Sequence, residues 1–406
     1  SSENYERRFI MTFPNETLPK GRKQKTTALY DRFVNQGAVM GDSFGLENVL
    51  WFANNKEDAH EEPTIKRSRS HNYVSKEVIN VRENVGVTEV ANFSKHEFKG
   101  PDARKFLDYV MAGRIPKPGR ISLNPMLTKK GKLYGDLTVA CIDENEFMIF
   151  GSGAAQEMHR RWFESHIGKF NLSYKNRSDD FHGLSISGPK SRELLQKIVR
   201  EDVSNSKFKF RDSRRMYVAG VPAVINRLSF TGELGYEIYV APHYQIKLYE
   251  ELMEAGKEFN IKPFGSRALM SMRLEKNWGA WTLDYRPDFT PKETGLDAFI
   301  NWDKDFIGKN SAQKDESKNK IIPLIVETNE IDVTYNEAVM KGEKSIGYIT
   351  SGGFAHFVNK SVAFSYLDTK ELNSGKGIQV EINGDMFNCS IIKEPLYDPS
   401  GQKMRS

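Results

Sequence analysis

The chain has 406 residues, 38% apolar and 28% charged, with 59 basic against 54 acidic side chains and a formal net charge of +5. At roughly 150 residues per domain this predicts two to three domains with more than one buried core, and it excludes a peptide hormone, a disulfide knot and a lone small module. A mean hydropathy of -0.58, with no run near the ~18 consecutive apolar residues of a membrane span, predicts a soluble chain that neither crosses nor enters a membrane. The mixed charge suits a small anionic ligand better than a nucleic-acid surface. The opening SSENYERRFI lacks the apolar core of a signal peptide, and a start at Ser1 rather than Met points to numbering that begins inside a longer precursor or a trimmed piece of one. Cys141 and Cys389 sit in strand-like contexts, where free thiols pack as small hydrophobes. A reducing compartment follows: cytoplasm in a bacterium, mitochondrial matrix in a eukaryote. The eight histidines are scattered, with no HExxH and no cysteine pair at zinc spacing, so no metal site is expected.

In chain order, residues 1–84 read as a connecting or wrapping segment with little periodicity beyond the cluster Leu50, Trp51 and Phe52. From Val85 the pattern becomes regular. ANFSKHEFKG is a strand, and GPDARKFLDYV starts a helix with Pro101 at its first position, where a missing N–H costs nothing. The phrase recurs: the strand FHGLSIS leads into GPKSRELLQKIV, and Leu107 and Leu195 each stand seven residues after their glycine. Strand pairs follow both copies, with alternating residues such as Phe147 and Ile149. Residues 85–308 are therefore two tandem related α/β units with a ligand cleft between them, closed by helices from Pro242 to about Glu258 and from Ser266 to Asn277. Residues 309–320 form a charged linker. Residues 321–406 are short strands with an Asn383-Gly384 hairpin turn, a closed or nearly closed antiparallel β-barrel. The fold class is α+β.

One cofactor motif fails. Gly151 and Gly153 follow a strand as in a dinucleotide fold, but the third glycine position is Gln156 and no acidic residue closes a second strand. The informative carboxylates are Asp136, after a Gly-rich turn at the mouth of an apolar strand, and Glu237, on a strand whose alternation points it with Gly235 and away from Tyr236 and Ile238. Taken singly, each reads as a turn or surface acid. If both line the cleft, each half supplies one.

The ordered phrases TALYDRFVNQGAV, ENVLWFANN, GRISLNPMLTKKGKLYGDLTVACIDENEFMIF, SISGPKS, FTGELGYEIYV, SMRLEKNWGAW and GYITSGG resemble the folate-binding half of the dimethylglycine and sarcosine dehydrogenases. That half is itself similar to the glycine-cleavage T-protein, the aminomethyltransferase. The resemblance implies a three-domain cloverleaf around tetrahydrofolate, with the pterin deep and the glutamate tail outside. It implies that Asp136 is the catalytic aspartate and Glu237 the pterin-binding glutamate, whose carboxylate accepts adjacent ring N–H groups as a pair. The reaction implied is transfer of one carbon from an oxidised N-methyl amine, as iminium or formaldehyde, to give 5,10-methylenetetrahydrofolate. FAD would act only through a missing domain or a flavoprotein partner.

Three departures stand out. Leu269 occupies the position of the family's arginine in its ARD-x-LR phrase, Leu123 stands where many relatives have tyrosine, and no FAD domain is present, although Arg273 remains. Tyr236 and Trp281 are secondary candidates for pocket walls, and Arg267 for meeting the anionic tail. Two rival activities stay open: direct demethylation of a methylated onium compound, and folate binding without turnover. The clusters Lys20-Gly21-Arg22-Lys23 and Lys66-Arg67-Ser68-Arg69 read as solvated surface rather than a nucleic-acid site.

Overall fold

Strand alternation and two recurring Gly-Pro helix starts set the architecture. It is seen in a computed structural model that describes residues 2–10, 13, 16, 20–374 and 377–406. A hairpin, β1 (Ala38–Ser43) and β2 (Leu46–Phe52), comes first. The first repeat then runs β3 (Val85–Glu89), β4 (Phe93–Lys99), helix Ala103–Val110, β5 (Arg120–Leu127), β6 (Leu133–Asp143), β7 (Glu146–Ser152) and helix Gln156–Ile167. The second has the same order: β8 (Ser173–Asn176), β9 (His182–Ser187), helix Ser191–Ile198, β10 (Ser213–Val218), β11 (Val221–Asn226), β12 (Gly235–Val240) and helix Gln245–Ala255. The short strand β13 (Ile261–Pro263) follows.

The repeats are intertwined rather than simply consecutive. One sheet has the order β5-β6-β7-β4-β8 and the other β10-β11-β12-β9-β3-β13, so the first strand of each repeat lies in the other repeat's sheet. Gly100 and Gly188 take the same backbone conformation, φ +138° and +134°. Each faces a carbonyl that a Cβ would strike, that of Asn171 at 2.8 Å and that of Asn84 at 2.4 Å. The first helix begins at Ala103, two residues beyond Pro101, because Pro101 and Asp102 form a turn.

Alternation divides each sheet into two apolar faces. Leu137, Val139, Cys141, Phe147 and Ile149 pack on the first repeat's helices, while Tyr236, Ile238 and Val240 pack on the second's. The opposite faces meet: Ile121, Ala140, Met148 and Phe150 from one sheet share a cluster with Val224 and Tyr239 from the other. Phe150 stacks on Tyr239 with ring centroids 4.6 Å apart.

The barrel is closed, and its six strands are β14 (Asn319–Val326), β15 (Ala338–Lys341), β16 (Lys344–Ala355), β17 (Lys360–Asp368), β18 (Ile378–Ile382) and β19 (Asp385–Ile391). Asn383 and Gly384 both have positive φ, as their two-residue hairpin turn demands. Two segments are more ordered than their sequences imply. Residues 1–84 contain the β1–β2 hairpin and the helix Ser70–Glu83, whose Val74, Val78 and Val81 pack on Trp51, Phe264 and Met272. This helical spacing is diluted by polar neighbours. The charged stretch 309–320 contains a helix, Lys309–Gln313, and ends inside β14.

Candidate active site

The site grows from the two facing sheets. On β6, Asp136 shares its face with Thr138 and Ala140, and Ala140 belongs to the intersheet cluster. On β12, Glu237 shares its face with Tyr239, of the same cluster. Both carboxylates are thus directed into the space between the sheets, one from each repeat. The chain of contacts is short. Thr138, two residues beyond Asp136, pairs with Phe150, Phe150 stacks on Tyr239, and the Tyr239 hydroxyl donates to Glu237 Oε2 at 2.9 Å.

Burial pushes Asp136 up to about 7, opposed by its own backbone N–H. Among the described residues no cation pairs with its carboxylate, and its side chain keeps partial solvent contact. Glu237, only 7% exposed, is also pushed to about 7 by burial, opposed by the Tyr239 hydrogen bond and the nearby Lys95. Lys95, from β4, is wholly buried, and burial lowers it to about 7. Its Nζ donates to the carbonyls of Ala91 and Phe93, each at 2.8 Å. Such groups hold or release a proton near neutral pH, the condition for acid–base work.

Trp281 lies on the Asp136 side of the space. It packs with Leu123, Leu133 and Tyr285, and the Tyr285 hydroxyl is raised by burial first and by the Asp136 charge next. Tyr236 lies elsewhere. It is 0% exposed, points away from Glu237 into the second repeat's core and packs on Phe208. The pocket-wall expectation for Tyr236 is therefore corrected: neighbours on a strand face opposite ways. Arg267 is also corrected. Its guanidinium is held by Glu61 at 2.9 Å and Ser70 at 2.7 Å, beside a separate cavity of about 790 Å³ lined by His71, Phe354 and His356 but by neither carboxylate. The basic residues on an open pocket beside Leu123, of about 380 Å³, are instead Arg114, Lys117, Arg120 and Arg211. Leu269 packs among apolar side chains of the cluster around Trp51, so leucine suits the place of a cation there. Arg273 is buried and paired with Asp284 at 2.8 Å.

Lys95 and Tyr239 join the site without having stood out in the sequence. The signal for Tyr239 was its place two residues from Glu237, on the same face. Lys95 gave none, because a lysine in an amphipathic strand normally faces water. Most side chains of the basic clusters near the N-terminus are paired: Arg22 with Glu47, Lys66 with Glu330, Arg67 with Asp332, and Arg69 with Asp58. Among the described residues there is no group of three or more His, Cys, Asp or Glu placed to hold a metal ion, and no helix long and apolar enough to cross a membrane.

Residues 29–304 match the GCVT N-terminal domain, and residues 319–398 match the glycine cleavage T-protein C-terminal barrel domain. The chain belongs to the GCVT family. It is an enzyme of the folate-dependent aminomethyltransferase type. It is 34% identical over 403 residues to the mitochondrial dimethylglycine dehydrogenase of Homo sapiens, covering 97% of this chain and 46% of that protein. It therefore spans about half the length of that relative. It is 29% identical over 383 residues to the aminomethyltransferase of Desulfitobacterium hafniense strain Y51, covering 93% of this chain and 99% of that one. The solved glycine cleavage system aminomethyltransferase T from Bartonella henselae shares the fold, with a TM-score of 0.80 at 21% identity over 93% of this chain and 99% of that chain.

Proposed function

We propose that this chain transfers one carbon from an oxidised N-methyl amine of the dimethylglycine or sarcosine class to tetrahydrofolate, giving 5,10-methylenetetrahydrofolate and releasing the demethylated amine when the donor is the iminium, or water when it is formaldehyde. The observation that carries this reading is the pair Asp136 and Glu237, one from each repeat, facing the same intersheet space with both carboxyls lifted to about 7. These residues fit a reduced pterin. Glu237 offers an acceptor pair for ring N–H groups and is oriented by Tyr239. Arg114, Lys117 and Arg211 supply positive charge beside Leu123 for an anionic glutamate tail, a role better suited to them than to Arg267.

When bound, tetrahydrofolate supplies the nucleophilic nitrogens N5 and N10. Asp136 accepts the protons that N5 and N10 lose on bonding to the carbon and returns one to the departing amine or hydroxyl, and its ionised form stabilises positive charge developing beside it. Lys95 and Tyr239 fix the charge and direction of Glu237. The similarity to a dehydrogenase twice as long supports a flavoprotein domain or partner as the source of the oxidised amine.

The test is incubation with tetrahydrofolate and formaldehyde, with the product identified by absorbance and mass. Asp136→Asn is expected to keep folate binding and lose roughly 10²–10⁴ in methylene formation. Unchanged turnover in that variant removes Asp136 from the chemistry. A 5-methyl product selects direct demethylation, and tight binding without product selects a carrier.

A further inference from the structure

The strand that presents Asp136 carries a defect just before it. On β6, Gly135 pairs with Met126 while Leu133 pairs with Leu127, so Tyr134 is an extra residue, a β-bulge two positions from the carboxylate. On the other edge, pairing with β7 begins only at Thr138. A bulge bends its strand and re-aims the side chains that follow. Its extra peptide also loses a ladder partner, which a buried carbonyl must replace.

The replacement is His159. This residue comes from the helix Gln156–Ile167, is 0% exposed, and places Nε2 2.9 Å from the Tyr134 carbonyl oxygen. A carbonyl only accepts, so Nε2 carries the hydrogen and Nδ1 presents a lone pair. Burial lowers His159 to about 4 and keeps the ring neutral, outweighing the Tyr134 carbonyl, which by accepting from the ring favours the protonated form. Two further features are shaped around the ring. A Cβ on Gly135 would stand 3.0 Å from His159 Nε2, so glycine gives the imidazole room. Nδ1 and the buried Ser94 hydroxyl, both without a hydrogen-bond partner among the described residues, flank Gly151 together, with the hydroxyl oxygen 3.1 Å and Nδ1 3.4 Å from a Cβ placed there. The ring also lies 5.9 Å from that of Trp281.

We propose that His159 is a positioning residue for Asp136, holding the bulge at Tyr134 through its Nε2–H so that the carboxylate points into the intersheet space. The inference rests on the reading of Asp136 as the acid–base group. It separates from mere packing because only a donor at the Nε2 position meets the Tyr134 carbonyl.

The test compares His159→Gln, whose amide N–H reaches that position, with His159→Asn, whose amide is too short, and with His159→Phe, which keeps the volume. In the tetrahydrofolate and formaldehyde assay, Asn and Phe are expected to lower kcat roughly ten- to hundredfold with folate Kd within about threefold of the parent, and Gln is expected to restore most of it. Crystal structures are expected to show residues 134–136 displaced in Phe and retained in Gln. The proposal is overturned if Gln and Asn are equally slow, or if Phe turns over like the parent. Should Phe fail to fold, the Gln to Asn ratio decides. Should Asp136→Asn prove fully active, the functional reading fails, and the backbone positions in the His159 structures still judge the positioning claim.

Discussion

Asp136 is a carboxyl whose protonation the fold itself biases. Burial raises it from 3.8 to about 7 with no cation to offset the effect. A group whose folded pKa exceeds its unfolded value binds its proton more tightly when folded. The stability it contributes is fully present below about 4 and is lost as the pH climbs through about 7. Asp136→Asn, neutral at every pH, removes this dependence. Its thermal midpoint is expected to exceed the parent's by more at pH 8 than at pH 5, by a few degrees. Equal differences at the two pH values, measured by scanning calorimetry, rule out a buried and destabilising carboxylate. Glu237 behaves less simply, because Lys95 and Tyr239 oppose the same rise. The same single-residue logic explains Tyr236: one step along a strand reverses the face, so its neighbour reaches the cleft and it does not.

At the scale of elements, the duplicated Gly-Pro starts were legible, because a glycine held at positive φ and followed by proline leaves a short and specific signature. Their conformational demand is testable. Gly188 has φ +134°, and a Cβ there would lie 2.4 Å from the Asn84 carbonyl oxygen, whereas Gly384, also at positive φ, has nothing within 4 Å. Gly188→Ala is expected to cost about 3 kcal/mol, the upper range for a strained backbone position. Gly384→Ala is expected to cost about 1 kcal/mol in urea titrations. Equal costs contradict the backbone clash. The barrel was legible too, as was the strand alternation that sets the faces of Asp136 and Glu237, since alternation and turn chemistry act locally. The exchange of β3 and β8 between sheets was not, because strand order depends on pairings far apart in sequence. The bulge at Tyr134 was equally hidden: it is an offset between β5 and β6, visible only once the two are in register.

The whole molecule is tied together by a buried charge cluster that no local pattern announces. Arg82, from the segment preceding the repeats, donates to Glu233 of the second repeat at 2.9 Å and to Glu275 of the helix Ser266–Glu275 at 2.5 Å. Tyr397, beyond the last barrel strand, lays its ring 3.8 Å from the Arg82 guanidinium carbon and bonds Glu233 through its hydroxyl. All three charged side chains are 0–1% exposed. One arginine therefore pairs with two carboxylates at the junction of the N-terminal segment, the duplicated unit and the barrel. Removing it strands both charges in a medium that cannot solvate them, and burial already raises Glu275. Arg82→Met is expected to cost about 3–5 kcal/mol, read as a lower urea midpoint. Adding Glu233→Gln and Glu275→Gln is expected to recover much of that loss, because the penalty lies in uncompensated charge rather than in lost packing. If the triple variant is no more stable than Arg82→Met alone, the junction is held by shape, and charge has no part in joining the barrel to the site.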